Sequence, residues 1–200
     1  MKKILTFLVL PIIIVVLGVL IWNSIQEPVV FKKERTHREE IGVQRLKDIR
    51  TLQVAYKSRF ARFTGSIDTL VDFYKNGQIT IVKQIGSMDD SLAVAKKLVR
   101  RDSIKINVKD TLLKRADFNP DDLKTIPFSN EPIIMSAVIK QVSGVDVPLF
   151  EAAMPYYSLL DGLDHQLIVN LHHERVDTGR YPGLKVGSVD APNNNAGNWE

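Results

Sequence analysis

Three histidines near the carboxyl-terminal end are the residues whose type and spacing best fit metal binding. His172 and His173 are adjacent, and His165 lies seven residues earlier, which places it on the same helical face as His172. Asp161 or Asp164 would complete a ligand set. Zinc requires three or four ligands that converge on one point. Adjacent helical residues diverge by about 100°, so His172 and His173 do not both reach one ion without distortion. We therefore expect surface histidines, no metal and no cofactor.

The sequence contains no recognisable motif for other kinds of catalysis. The acidic pairs Asp89-Asp90 and Asp121-Asp122 stand at predicted helix starts, where carboxylates stabilise the helix dipole. The chain contains no cysteine, Gly-x-Ser-x-Gly, Walker A loop or Gly-x-Gly-x-x-Gly. The sequence therefore predicts no catalytic residue, and an enzyme would need a site that only the fold assembles.

Three aromatic residues are the candidates for contact with a partner or a glycan. Tyr156 and Tyr157 are adjacent, and Trp199 stands alone in a polar ending. Packing in the core or in a hairpin is the interpretation that we favour over such contact, because aromatic side chains are buried on average. A lone tryptophan in a polar segment is expected to be either docked on the domain or used for binding.

The elements that position these residues begin with a charge-free run from Ile4 to Trp22. At about 1.5 Å per residue, such a helix is roughly 28 Å long, close to the thickness of the hydrocarbon core of a bilayer. No ionisable residue of the kind that marks an ion pathway interrupts the run. We predict a short cytoplasmic head at residues 1–3 and a transmembrane helix at residues 4–22.

A cleaved secretory signal and a permanent anchor both begin with such a run. A signal peptide has a shorter apolar stretch and small residues before its cleavage site. The exit here, Leu20 to Ser24, has no Ala-x-Ala pattern, and Trp22 suits the membrane interface. We favour an uncleaved, single-pass signal-anchor. The short head predicts that residues 24–200 lie outside the cytoplasm, so the simplest location is the bacterial inner membrane with the bulk of the chain in the periplasm.

Positive charge is concentrated next to the predicted membrane helix. Residues 32–62 carry ten Lys or Arg and four Asp or Glu, whereas residues 63–200 carry fifteen and eighteen. Anionic lipid headgroups attract such a segment, and a solvated face of mixed charge is the alternative. Nucleic acid is not expected as a partner, because a tethered periplasmic domain does not meet it. The predicted partners are the lipid bilayer, through residues 4–22, and a protein or a second copy of the chain.

Two segments separate the membrane helix from the domain. Residues 23–33 are predicted as a connector, because Pro28 removes a helical hydrogen bond. Residues 34–63 are predicted as a long amphipathic helix, since apolar residues recur there at spacings of three and four. These apolar positions are Leu46, Ile49, Leu52, Tyr56, Phe60 and Phe63.

Residues 64–192 predict an α+β domain whose small, mostly antiparallel sheet packs on the long helix, together with short helices. Ser66 is expected to cap a helix that Asn76-Gly77 ends in a left-handed conformation. The runs on either side of Ser143-Gly144 predict a β-hairpin. Further elements are expected at 78–85 (strand), 89–100 (helix), 103–112 (strand), 160–171 (helix ended by Gly179) and 184–189 (strand), with a polar tail at 193–200.

Several segments resemble known protein families. The run from Gln44 to Lys57, the segment from Phe63 to Leu70 and the ending from Asn193 to Glu200 look like a family of uncharacterised, single-pass bacterial envelope proteins. This resemblance covers most of the chain. It implies membrane anchoring and assigns no activity.

Residues 1–70 more distantly resemble type IV pilins and type II secretion pseudopilins. Those proteins have an apolar amino-terminal helix, an amphipathic helix and a turn before a small sheet, and the spacing of Tyr56, Phe63, Thr64 and Leu70 fits that order. The chain lacks the prepilin peptidase site and the glutamate that follows it in the mature helix. The resemblance therefore implies a pilin-like shape rather than pilin processing.

Three functions follow as expectations. The first is a non-enzymatic, membrane-anchored envelope protein whose periplasmic domain contacts other proteins, in the manner of a pseudopilin-like scaffold. The second is a glycan- or lipid-binding module that uses Tyr156, Tyr157 or Trp199. The third is an enzyme with a site that the sequence does not reveal.

Overall fold

The computed structural model describes residues 10–85 and 100–200, and within them the chain forms an α+β fold with a long amino-terminal helix and small antiparallel sheets. In chain order the elements are α1 (Leu10–Phe60), α2 (Ile67–Asn76), β1 (Gln78–Ile85), β2 (Arg100–Asn107), β3 (Ile134–Val142), β4 (Val145–Pro155), α3 (Tyr156–Leu159), α4 (His165–Asp177) and β5 (Gly183–Gly187). Short 3-10 turns occupy Val108–Asp110 and Pro120–Lys124.

Helix α1 is continuous over 51 residues and passes through Pro28. The expected connector at residues 23–33 is therefore wrong, because this stretch is helical and joins the apolar run directly to the amphipathic part. Proline removes one backbone N–H, which leaves the carbonyl of Ser24 without its helical donor. The sequence around Ser24 is already polar, so water can satisfy that carbonyl while the neighbouring turns keep their own hydrogen bonds.

The first part of α1 is apolar and uncovered. Every described side chain from Pro11 to Trp22 is exposed, and that of Trp22 is 66% accessible. A helix that is apolar on all sides is stable inside a core or in lipid, and no core covers this one. By length and composition, α1 is the one helix among the described residues that is long and apolar enough to cross a membrane.

The second part of α1 forms one wall of the domain core. Leu46, Ile49 and Leu52 are fully buried and Tyr56 nearly so, which confirms the apolar stripe expected from their spacing. Phe60 ends the helix three residues earlier than expected, and its ring is 48% exposed. It still contacts the Tyr56 ring, with the centroids 4.4 Å apart.

The chain reverses direction after α1 through a buried side-chain amide. Gln53 is fully buried, and its Nε2 donates to the carbonyl of Thr64 at 2.6 Å while its Oε1 accepts from the Thr64 N–H at 3.1 Å. Both polar ends of the amide are thus satisfied inside the core. The reversal places Phe63 against Phe150 of β4, with the ring centroids 4.8 Å apart.

Helix α2 follows the reversal with the expected bounds. The Ser66 side chain accepts from the Thr69 N–H, as an N-cap does. Gly77 ends the helix in an extended conformation (φ −76°), so the expected left-handed ending is wrong. Glycine is required there for space: a Cβ atom would lie 2.2 Å from the Phe73 carbonyl oxygen.

The larger sheet has the order β3-β4-β5 and is antiparallel throughout. The expected hairpin around Ser143-Gly144 is confirmed, and both residues have positive φ (50° and 82°), as a type I′ turn requires. One face of this sheet packs on α1, where the Gln53 amide also contacts the Met135 sulfur at 3.3 Å. The fold therefore places a hairpin along a long helix.

The second sheet pairs β1 with β2. The expected strand at 78–85 is confirmed, whereas the one expected at 103–112 ends at Asn107, because residues 108–110 tighten into a 3-10 turn that buries Val108. The helix expected at 89–100 falls mainly on residues outside the described ranges, and Arg100 itself begins β2.

The last eight residues are part of the domain rather than a free tail. The Gly187 N–H donates to Ala196 O at 3.0 Å, and the Asn198 N–H donates to Lys185 O at 2.9 Å. The Asn198 side chain donates to Gly183 O and accepts from the Lys185 N–H. The segment 193–200 therefore extends the sheet edge beyond β5, because Gly197 forms a bridge with Val186 and the Asn198 side chain supplies backbone-like hydrogen bonds.

The continuity of α1 predicts a fixed distance between spin labels placed on either side of Pro28. Labels at Ser24 and Gln44 are twenty residues apart and should lie roughly 30 Å apart with a narrow distribution. Double electron–electron resonance on the full chain in micelles measures this distance. The pair Gln44 and Ser58, on an uninterrupted part of α1, is the control. A broad distribution for the first pair alone would show a hinge at residues 23–33.

Candidate functional site

The domain has two ends, defined by the order of contacts along α1. Tyr156, just after β4, contacts Glu39, whereas Met135, which pairs with Ala152 earlier in β4, contacts Gln53. Strand β4 therefore runs back towards the apolar part of α1. We call the end with α3 and α4 the proximal end and the end with the Ser143-Gly144 turn the distal end.

A polar cluster of four residues lies at the proximal end: Arg35, Glu39, Tyr156 and Arg175. Glu39 Oε1 accepts a hydrogen bond from the Tyr156 hydroxyl at 2.6 Å and another from Arg35 Nε at 2.9 Å. Arg175 Nη2 donates weakly to the same hydroxyl at 3.4 Å. The Arg35 and Arg175 guanidinium groups also lie over the Tyr156 ring, 5.4 and 5.9 Å from its centroid. This proximal cluster joins α3 and α4 to α1.

Burial determines the protonation states in the proximal cluster. Tyr156 is 1% exposed, and burial, together with its hydrogen bond to Glu39, raises its pKa to about 12. Burial alone would lower the pKa of Arg35, but the hydrogen bond and charge of Glu39 outweigh it and raise that pKa. Tyr156 is therefore a neutral, internal hydrogen-bond donor. Its burial agrees with packing in the core and removes Tyr156 from the candidates for surface contact.

The three histidines and Tyr157 meet beside this cluster without forming a metal site. The Tyr157 ring lies 4.8 Å from the His172 ring and 6.5 Å from the His165 ring. The His172 and His173 rings are 6.1 Å apart and inclined by 77°, in line with the divergence expected on a helix. Over residues 10–85 and 100–200, no three potential metal ligands converge.

Helix α4, which carries these histidines, begins later than expected. Asp164 caps it by accepting from the Leu167 N–H at 2.8 Å, so Leu160 and Leu163 lie in the preceding turn. Gly179 follows the helix with a φ of 67°, as its type predicts. Tyr157 is 42% exposed and is the aromatic candidate that remains accessible at the proximal end.

Trp199 is docked on the domain at the level of Arg50, about fifteen residues along α1 from the proximal cluster at Arg35. Its ring packs against the core, and the backbone of Gly197 passes so close that a Cβ there would lie 2.3 Å from the ring. The following residue, Glu200, forms an ion pair with Arg50 at 2.6 Å, which lowers the Glu200 pKa. The sequence left two alternatives for Trp199, docking on the domain or use in binding, and the structure shows that it is docked.

The distal end exposes apolar side chains that sequence analysis did not single out. Ile139 and Val145, on the two strands of the hairpin, are 62% and 64% exposed, and Val138 is exposed beside them. Strand β3 pairs with β4 on one side only, and among the described residues no strand pairs with its other edge. Exposed apolar residues on a sheet edge indicate an interaction surface. The sequence signal for this surface was the presence of β-branched residues on both faces of the predicted hairpin, next to its turn.

The remaining buried polar groups do not form a catalytic frame. Ser158 donates a short hydrogen bond to Glu131, and in the described part of the chain no hydrogen bond joins a serine to a histidine. A serine nucleophile needs an adjacent base that a third group orients. The chain matches no protein-family model, no curated protein and no solved structure. The structure thus defines an α+β domain on a helix that is long and apolar enough to span a membrane.

Replacing Tyr156 with phenylalanine should lower the free energy of unfolding by about 1.5 kcal/mol, the lower range for a hydrogen bond to a charged group. Because the pKa of Tyr156 lies near 12 in the folded chain against 10 ordinarily, folding holds the phenolic proton more tightly. This stabilisation is complete below pH 10 and disappears as the pH rises towards 12. Unfolding of the full chain in micelles, followed over this range, measures it.

Tyr157→Phe is the matched control for this measurement, since its hydroxyl is exposed. The difference in stability between wild type and Tyr156→Phe should shrink above pH 10, whereas the difference for Tyr157→Phe should stay near zero. A Tyr156→Phe difference that is constant across the range would contradict the assignment of the proton to the buried phenol.

Docking of Trp199 predicts its fluorescence. Trp22→Phe leaves Trp199 as the single tryptophan, and its emission should be blue-shifted and weakly quenched by acrylamide. Asn198→Ala, which removes two hydrogen bonds to β5, should increase the quenching. Asn170→Ala, on the outer face of α4, is the control and should not. Strong quenching in the Trp22→Phe parent would show that the ending is not docked.

Proposed function

We propose that this protein is a membrane-anchored, non-enzymatic envelope protein whose domain presents an interaction surface to another protein. The observation that carries the proposal is the continuity of α1, which is exposed and apolar at one end and buried in the domain core at the other. Such a helix gives the domain a fixed orientation relative to the bilayer. In this proposal the anchor lies in the bacterial inner membrane and the domain in the periplasm, which the signal-anchor pattern of the apolar run supports.

The proximal end of the domain lies close to the level at which α1 leaves the membrane. Leu163 and Asp164 line a groove of about 610 Å³ together with Gln26, Val30 and Glu34. Those α1 residues are only about 6 to 18 Å along the helix from Trp22, within or just outside the headgroup layer. Lys32 and Lys33 lie on the opposite, exposed side of α1, where they favour contact with anionic headgroups.

The distal end of the domain is held far from the bilayer. From Trp22 to Phe60 the helix rises about 57 Å, and the hairpin turn lies at that end. The exposed Ile139 and Val145 therefore face the periplasm at a defined height. An extended segment of a partner can add to the free edge of β3, since main-chain hydrogen bonds give affinity and side-chain pockets give specificity in such contacts.

The packing of a long helix against an antiparallel sheet supports the pilin-like interpretation in shape. In this proposal the protein serves as a pseudopilin-like scaffold that is not processed by the prepilin peptidase. The first residues of α1 then stay in the membrane as the anchor, and the second half of the same helix supports the sheet. Self-association with further copies is one form that the scaffold can take.

Binding of an envelope glycan or lipid is the second candidate function. The observation that favours it is the exposed Tyr157 ring beside His172 and His165 at the proximal end. Aromatic rings next to polar groups suit the membrane–water interface and sugar faces. Tyr157→Ala should abolish such binding and leave the distal contact unchanged, which separates the two candidates.

Site-specific photocrosslinking in cells tests the protein-contact proposal. A benzoylphenylalanine at Val138 should give a discrete adduct, whereas the same probe at Gln166 on α4 should not. Val145→Lys in the Val138 probe strain should abolish the adduct, because the two residues share a face of the hairpin and a charge cannot enter an apolar contact. Val176→Lys, an exposed apolar site elsewhere, is the matched control.

Two results would contradict the proposal. One is a Val138 probe that gives no adduct beyond the Gln166 background, or an adduct that Val145→Lys leaves intact. The other concerns the anchor: alkaline carbonate should leave the protein in the membrane fraction, and its release together with loss of the first residues would show a cleaved signal instead.

A further inference from the structure

A cleft separate from both ends of the domain lies between α1 and the segment that follows β2. Its volume is about 250 Å³, and its walls include Arg45 and Asp48 of α1, Arg115, Phe118 and Asp122. Sites for drug-sized ligands occupy roughly 300–1,000 Å³, so this cleft suits a smaller molecule. Charged groups of both signs line the cleft, and the way in which they are paired indicates which charges that molecule would carry.

One ion pair in the cleft is already complete. Arg115 binds Asp48 through two parallel hydrogen bonds, Nη1 to Oδ1 at 2.9 Å and Nη2 to Oδ2 at 2.8 Å. Gln44 donates to the same carboxylate at 3.0 Å, and Asp48 is buried. A carboxylate that already accepts two hydrogen bonds from a guanidinium and one from a third donor has little capacity left to bind a ligand. These groups form a wall of the cleft rather than its binding groups.

Arg45 is the unpaired cation of the cleft. Its Nη1 donates to Thr125 O at 2.6 Å, and within residues 10–85 and 100–200 this is the one hydrogen bond its guanidinium makes. No described carboxylate lies within 4.0 Å of it, as the ion pairs of the domain show. Burial lowers its pKa, partly offset by the charges of Asp122 and Asp48. A guanidinium remains charged nevertheless, and among the described residues the acidic groups that act on it do so without an ion-pair contact.

Asp122 supplies the opposite charge on the facing wall. Its carboxylate accepts from Asn119 Nδ2 at 2.9 Å and has no ion-pair partner among the described residues. Asp117 adds a second carboxylate, only loosely associated with Arg115 at 3.5 Å. The acidic groups would repel a phosphate or another dianion. The cleft therefore combines one free guanidinium with a free carboxylate across a small gap.

We propose that this cleft binds a small zwitterion of the size of a free amino acid. The carboxylate of the ligand would accept from Arg45, in the two-point geometry that guanidinium groups favour. Its ammonium group would donate to Asp122, and an apolar side chain would contact Phe118. This ligand site is independent of the distal contact surface, so either can be present without the other.

Calorimetric titration of the full chain in micelles tests the proposal, with glycine, L-alanine, L-leucine and L-phenylalanine as probes. At least one of these should bind saturably, whereas acetate, methylammonium and inorganic phosphate should bind at least tenfold more weakly. Arg45→Gln should weaken the amino acid at least tenfold, and Asp122→Asn should do the same. Circular dichroism of both variants verifies that they remain folded.

Arg50→Gln is the matched control, because that arginine pairs with Glu200 outside the cleft. It should leave the affinity within twofold of wild type. The proposal fails if no amino acid binds saturably, or if Arg45→Gln leaves the affinity unchanged in a folded protein. It also fails if acetate or phosphate binds as tightly as the amino acids, since the cleft would then be a simple anion site.

Discussion

Helix α1 has an uncovered apolar part and a part that is buried in the domain core, and its backbone hydrogen bonds close within the helix along both. In lipid no water satisfies an open N–H or C=O group, so a spanning segment has to be helical. In the domain the same ladder keeps Leu46, Ile49 and Leu52 on one face of the core. Because one helix joins the two parts without a break, the orientation of the domain is fixed relative to the apolar part of α1.

The other elements are joined to α1 by polar contacts that flank its apolar stripe. These contacts are Arg38 to Asp161, Glu39 to Tyr156, Arg45 to Thr125, Asp48 to Arg115, Arg50 to Glu200 and Gln53 to Thr64. Apolar packing alone tolerates sliding of one surface over another, whereas a buried polar group without its partner is costly. The part-buried pairs of Glu39, Asp48 and Gln53 therefore fix the register of the elements that they join to the helix.

Local chemistry was enough to predict the hairpin, α2 and the strand at 78–85, because their signals are short-range. Ser143-Gly144 favours a type I′ turn, and Ser66 is an N-cap whatever surrounds it. The predictions that were wrong concern positions whose conformation depends on neighbouring structure. Pro28 does not end the helix, because the turns on both sides of it keep their hydrogen bonds. Gly77 is needed for space beside Phe73 rather than for a positive φ, and Asn198 binds β5 although the residues around it in sequence are typical of a loop.

The candidate sites show the same division. The sequence by itself determined that an apolar run precedes an amphipathic helix and an α+β domain, because composition and periodicity carry that information locally. Only the tertiary structure decided that Tyr156 is buried and that Arg45 and Asp122 line one cleft without an ion-pair contact between them among the described residues. Exposure and pairing depend on contacts between residues far apart in the chain. For a side chain such as Trp199, burial against a distant core is a property of the folded molecule and not of its own segment.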